Sequence, residues 1–231
     1  MSTCLVGSEM CIRDSTYTTK VRINIFEAPP LPKYYVDRPE YSDNLKANLL
    51  IDSLDRPAIV VTAIHGLGAV GKSTLATALA YDGDVQSRFC DGILWVTLGQ
   101  EPNILPMLGR WVQKLGDYDF KPTSVEVTVN HLRILLSDKA VLLVVDDAWN
   151  SGHAQIFNLG GPRCQVLVTT RERAIAEALR AKTYSLDVMT LEQSMLLLSG
   201  RLDREIWGEE ARQAEALVQE LGYLPLALEL A

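Results

Sequence analysis

The chain has 231 residues, 48% apolar and 22% charged, enough for one sizeable core and part of a second unit. A net charge of −7, with no block of five basic residues, argues against a surface that tracks nucleic-acid phosphates, which needs clustered Lys and Arg. No stretch of about 18 apolar residues is present to span a membrane, and the N-terminus lacks a secretory apolar core, so a cytoplasmic location is expected.

The opening MSTCLVGSEMCIRDS (1–15) shares no periodicity with the rest, reads like translated adapter or vector sequence, and is expected to lie outside the fold. Cys4 and Cys11 fall in it; Cys90 and Cys164 sit in apolar, strand-like contexts and are expected to be buried, reduced thiols. Residues 16–45, carrying Pro29, Pro30, Pro32 and Pro39, read as an extended lead-in.

From 46 to 188 short apolar runs alternate with helical segments. AIVVTAI (58–64), GILWVTL (92–98), AVLLVVD (140–146) and CQVLVTT (164–170), with a weaker TYSLDV (183–188), have the continuous apolarity of strands buried on both faces of a parallel sheet. Helices are expected over 103–115 and 124–137, the second opened by a capping-box spacing of Thr123 and Glu126. The alternation implies βαβ units, hence an α/β fold with a five-stranded parallel sheet flanked by helices. From about 189, where Thr190 and Gln193 repeat the capping spacing, the pattern is helical without strands, the start of a second unit over 189–231. Trp95, Trp111 and Trp149 read as core or interface aromatics, and the leucines of 196–202 as packing.

Gly66, Gly71, Lys72 and Ser73 satisfy G-x-x-x-x-G-K-[ST] between an apolar strand and a good helix former. Such glycines let backbone N–H groups wrap phosphates, and the helix start adds partial positive charge. Lys72 is expected to reach the β and γ phosphates and Ser73 to ligate Mg²⁺; a Gly-rich turn matching by accident is the rival. Asp146 and Asp147 end the apolar strand of LLVVDDAW (142–149): Asp146 is expected to hold Mg²⁺ and Asp147 to orient the attacking water, the rival being a pair of acids that cap the next turn. Arg171 ends VTTR (168–171), where a strand-tip arginine faces the ligand crevice and can bond a γ-phosphate, or else starts a solvated helix.

In this order the motifs resemble the NB-ARC class of STAND nucleotide switches, known from plant resistance receptors, the apoptosome scaffold and bacterial signalling proteins. YVDRPE (35–40) is similar to the family's adenine-packing lead-in, GLGAVGKST (66–74, with Gly68 and Thr74) to its P-loop and FCDGILWVTL (89–98) to the following strand segment. LLVVDDAW is similar to the kinase-2 motif, VLVTTR (166–171) to the sensor-1 strand and GYLPLALELA (222–231) to the GLPLA motif; LGQEP after the second strand resembles the prokaryotic branch. The resemblance implies ATP/ADP as ligand with Mg²⁺, an adenine pocket formed in part by Val36 and Arg38, and Pro225 approaching the nucleotide, although Pro225 also suits a helix start. It further implies a VTTR strand lying between the P-loop and LLVVDD strands. The lead-in departs from the pattern at Asp37 and Pro39. None of His65, His131 and His153 matches the family's winged-helix histidine, a region expected beyond Ala231.

The implied function is a nucleotide switch: ADP holds a closed state, ATP favours an assembly-competent one, and slow hydrolysis resets it, with flanking sensor and effector domains as partners and self-assembly in the full-length protein. The alternatives are a P-loop small-molecule kinase, for which the only lid candidates are Arg171, Glu172 and Arg173, and a fast ATPase, which often carries glutamate where this chain has Asp147.

Overall fold

The computed structural model describes residues 25–51 and 60–231. The expectations for residues 1–15, including Cys4 and Cys11, fall outside the described residues.

The lead-in differs from an extended segment. Ile25–Phe26 form a strand, β1, and Pro39–Leu49 form a helix, α1. Pro39 stands in the first turn, where a missing N–H costs nothing, Glu40 follows it, and Leu45 and Leu49, four apart, are fully buried. The chain continues through β2 (Val60–His65), α2 (Lys72–Tyr81), α3 (Gly83–Arg88), β3 (Gly92–Gly99), α4 (Ile104–Lys114) and α5 (Val125–Leu136). It then runs through β4 (Val141–Ala148), α6 (Ser151–Ile156), β5 (Gln165–Thr170), α7 (Arg173–Ala178) and β6 (Lys182–Ser185). The helices α8 (Leu191–Leu202), α9 (Glu209–Glu220) and α10 (Pro225–Leu230) complete it.

Among the described residues the sheet has six parallel strands, not five, in the order β1-β3-β4-β5-β2-β6. The extra edge strand is β1, pairing Ile25 with Gly92 and Phe26 with Ile93; two residues carry too little alternation to read. The VTTR strand β5 does lie between β2 and β4.

Alternate residues of each central strand feed two cores. Leu143 and Val145 of β4 pack with Leu108, Trp111, Leu132, Leu136 and Phe157 on one face. Leu142 and Val144 pack with Leu45, Leu49, Leu75, Leu79 and Phe89 on the other. The helical unit has its own small core of Met189, Leu197, Leu198, Val218 and Leu228, against which Tyr34 and Val36 of the lead-in pack.

Local signals held in part. Thr190 and Gln193 form a full capping box on α8. On α5 the cap is Ser124, which accepts from Val127 N–H at 3.3 Å, so the Thr123–Glu126 spacing is one residue out of phase. Cys164 is buried, but Cys90 is exposed, since it lies before β3 rather than in it. Leu197 and Leu198 pack inward while Leu196 and Leu202 stay exposed.

Candidate functional site

The polar groups of the site stand where β2, β4 and β5 end, the rim at which α/β sheets bind ligands. After β2 the chain turns through Gly66, where a Cβ would meet the Leu186 carbonyl oxygen, to Gly71 at φ +96°. That left-handed residue is the N-cap of α2, and nothing lies within 4 Å of where its side chain would begin, so the loop leaves an open cradle at the helix start. Lys72, 7% exposed, donates from Nζ to the carbonyls of Gly66 (3.0 Å) and Leu67 (2.6 Å). Burial, then the nearby charge of Arg171, holds its pKa below the ordinary lysine range, with Asp147 and Asp146 pulling the other way.

The ladder between β4 and β5 shifts register between Val145 and Ala148, and Asp147 adopts φ +50°. The irregularity turns two consecutive acids to one rim: Asp146 inward at 7% exposure, Asp147 outward into the cavity. Aspartate tolerates left-handed backbone better than most side chains. Asp146 Oδ1 accepts from Ser73 Oγ and from Thr169 Oγ1, both at 2.6 Å, and Thr169 Oγ1 accepts from the Asp147 N–H at 2.9 Å. Thr97 of β3 donates to Asp146 Oδ2 at 3.4 Å. A hydroxyl–carboxylate pair beside a phosphate cradle is the donor set that Mg²⁺ takes, since it binds one or two carboxylates together with phosphate oxygens. Among the described residues no cluster of three or more His, Cys, Asp or Glu could hold a metal by itself.

Arg171 leaves the tip of β5 half-exposed. Its Nε lies 3.9 Å from Asp147 Oδ1 and its guanidinium 4.6 Å from the Trp149 ring centre. It lines a cleft together with Lys72, Ser73, Thr74, Asp147 and Thr169, closed on the far side by Pro225, Leu226 and Glu229 of α10.

A second, narrower cavity continues from the first, with Gly71, Thr74, Pro225 and Glu229 shared between them. Its other walls are Tyr34, Tyr35, Val36, Arg38, Met189 and Leu197. Arg38 is 5% exposed and its guanidinium donates to the carbonyls of Val70 (3.2 Å), Asp187 (2.9 Å) and Val188 (3.0 Å). It thereby ties the lead-in to the P-loop and to the segment after β6. Tyr35 has its phenol pKa pushed up, by burial first and by the Asp37 carboxylate second.

Of the expected residues, Lys72, Ser73, Thr74, Asp147 and Arg171 line one end of the groove, Val36 and Arg38 the other, and Gly71 and Pro225 the stretch between, whereas Gly66, Gly68 and the buried Asp146 line neither cavity. Thr169, Thr97, Tyr34, Tyr35 and Glu229 were not singled out from sequence. The VTTR motif contains Thr169 but gives no sign that its hydroxyl bridges both aspartates; Tyr35 opens the lead-in motif and Tyr34 stands just before it. Of the histidines, His131 bonds Asp117 at 2.8 Å and stacks on Phe120, and none of His65, His131 and His153 lines either cavity.

Comparison with known proteins gives a match to the NB-ARC domain family over residues 42–201. The chain is 32% identical over 180 residues to the regulatory protein AfsR of Streptomyces griseus, covering 75% of this chain and 18% of that protein. It is 26% identical over 226 residues to apoptotic protease-activating factor 1 of Danio rerio, covering 90% of this chain and 17% of that one. It therefore spans under a fifth of the length of either relative. Among solved structures, a Signal Transduction ATPase with Numerous Domains (STAND) protein with a tetratricopeptide repeat sensor, from Pyrococcus horikoshii, superposes with a TM-score of 0.60 at 16% identity, over 89% of this chain and 31% of that one. At that identity the likeness speaks for the fold.

Proposed function

This chain belongs to the NB-ARC family, a nucleotide-binding switch module, and from that premise we propose that it binds ATP and ADP with Mg²⁺, hydrolyses ATP slowly, and switches a signalling or assembly protein between two states. The observation that carries this reading is the single groove whose phosphate end lies on the sheet rim and whose opposite wall is α10 of the helical unit. One ligand lying there touches both units, so a γ-phosphate can alter how they sit together. A ligand with equal affinity for both states would shift nothing.

In this reading the N–H groups of the loop from Gly66 through Gly68 to Gly71 wrap the phosphates, with Thr74 at the helix start. Lys72 pairs with the β and γ phosphates. Ser73 and Asp146 hold Mg²⁺, which when bound neutralises charge building on the transferred phosphoryl group. Asp147 accepts from and orients the attacking water, its backbone pinned by Thr169. Arg171 bonds the γ-phosphate and so distinguishes ATP from ADP. Val36 and Pro225 sandwich the base, and Arg38 shapes that end of the groove through its three carbonyl partners. The partners are flanking sensor and effector domains, with nucleotide-dependent self-assembly of the longer protein in the cytoplasm.

The experiment is to measure ATP and ADP affinity for Arg171→Ala. A fall of about tenfold for ATP, with ADP little changed, is expected from losing a charge-assisted bond to one phosphate. Equal changes for the two nucleotides would remove the sensor role.

A further inference from the structure

Among the described residues, Trp149 belongs to none of the hydrophobic cores. Its indole N–H is buried without a protein acceptor, so neither packing nor an edge hydrogen bond explains a tryptophan there. What the ring does meet is Arg171, whose guanidinium lies 4.6 Å from its centre. Tryptophan offers the strongest face for a cation, and guanidinium groups are the commonest cations on it.

The P-loop supplies a second contact. Gly68 lies outside the left-handed region, so backbone conformation does not call for glycine. The groups that a Cβ there would meet belong to Arg171, with Nη1 at 3.2 Å and Cζ at 3.5 Å, so a larger residue would displace the guanidinium by a few tenths of an ångström. The Arg171–Asp147 ion pair, at 3.9 Å between half-exposed groups, is too long and too wet to fix the guanidinium alone.

We propose that Trp149 and Gly68 form a seat that fixes the Arg171 guanidinium at the rim of the phosphate cleft. They are positioning residues for the contact that tells a nucleoside triphosphate from a diphosphate. The inference rests on the reading of Arg171 as that contact. The seat joins three segments, the P-loop, the tip of β4 and the tip of β5, so the arginine's orientation responds to any shift among them.

The test is a cycle of ATP and ADP dissociation constants for Trp149→Leu, Trp149→Phe, Arg171→Ala and the Leu/Ala double variant of the full chain. Trp149→Leu should lower the preference for ATP over ADP roughly three- to tenfold, the range of a cation–π contact, with ADP affinity unchanged. Trp149→Phe should restore most of it, and Trp149→Leu should add nothing once Arg171 is alanine. Gly68→Ala should lower the preference in the parent chain but not in the Arg171→Ala background. If Arg171→Ala lowers the preference while Trp149→Leu leaves it unchanged, the seat is refuted and the sensor reading stands. If Trp149→Leu weakens ATP and ADP equally, the ring acts through loop structure and the seat is again refuted. If Arg171→Ala leaves the preference unchanged, both readings fall.

Discussion

The phosphate end of the groove draws its polar atoms from three adjacent strand tips, whereas the other end is stitched from the lead-in, the segment after β6 and the helical unit. At the phosphate end Asp146, Thr169 and the Asp147 N–H, on adjacent strands, and Ser73, at the start of α2, satisfy one another within a few ångströms. At the other end Arg38 reaches carbonyls 149 and 150 residues away in sequence to hold the walls together. The first end is rigid because hydrogen-bonded strands fix its spacing. The second depends on one buried cation and on a small core of Met189, Leu197, Leu198, Val218 and Leu228. A switch needs that division: one end that keeps its grip on the phosphates and one whose walls can move.

The contrast breaks first at Arg38. Arg38→Ala leaves three carbonyls without their charged donor and is expected to cost about 3 kcal/mol in denaturant unfolding, near 1 kcal/mol for each bond. ATP and ADP should then weaken by the same factor, since both share the affected end. A selective loss of ATP would mean that the far end also reads the γ-phosphate.

Lys72→Ala is expected to weaken both nucleotides at least about 100-fold by calorimetry, the value of charge-assisted bonds to two phosphates. The same residue sets a pH dependence. Its folded pKa lies below the unfolded one, so the folded chain gives up this proton first as pH rises. Nucleotide affinity should therefore begin to fall at a lower pH than a free lysine, near 10.4, would dictate. Stability of the ligand-free chain should rise across the same window, because there the unfolded chain binds more protons. An affinity flat through pH 10 would contradict the placement of this charge on phosphate.

The smallest effect in binding and the sharpest division of roles belongs to Asp147. Asp147→Ala should leave ATP affinity within about twofold while hydrolysis falls by about 100-fold, the range of a lost general-base contribution. A parallel loss of affinity would place Asp147 in the binding set with Asp146 and erase the distinction between them.

Legibility follows the same division. The phosphate end could be read because Asp146 and Arg171 sit at the ends of apolar runs, and Lys72 and Ser73 follow a glycine-containing loop between an apolar strand and a helix. What escaped there is the register shift that brings Asp146 and Asp147 to one rim, which leaves no trace in hydrophobic alternation. It also left Thr169 unnoticed inside a motif otherwise read. The far end was legible only by resemblance. Leu45 and Leu49 carry a helical spacing, but Pro39 reads as a breaker until the residues after it show that it opens α1. Tyr34, Met189 and Glu229 converge by tertiary packing of segments that share no local pattern. β1 escaped because two residues are too few to show a period, and Ser124 outcompetes Thr123 as cap by one position.

The central claim, that this groove holds a nucleotide as a switch rather than turning it over rapidly, is tested by two readings on one sample. The purified chain is denatured, the released nucleotide is identified by chromatography, and turnover is followed under excess Mg-ATP. Near-stoichiometric ADP with turnover on the order of minutes or slower is the predicted result. An empty chain turning over faster than about one per second, ordinary for enzymes, would contradict it.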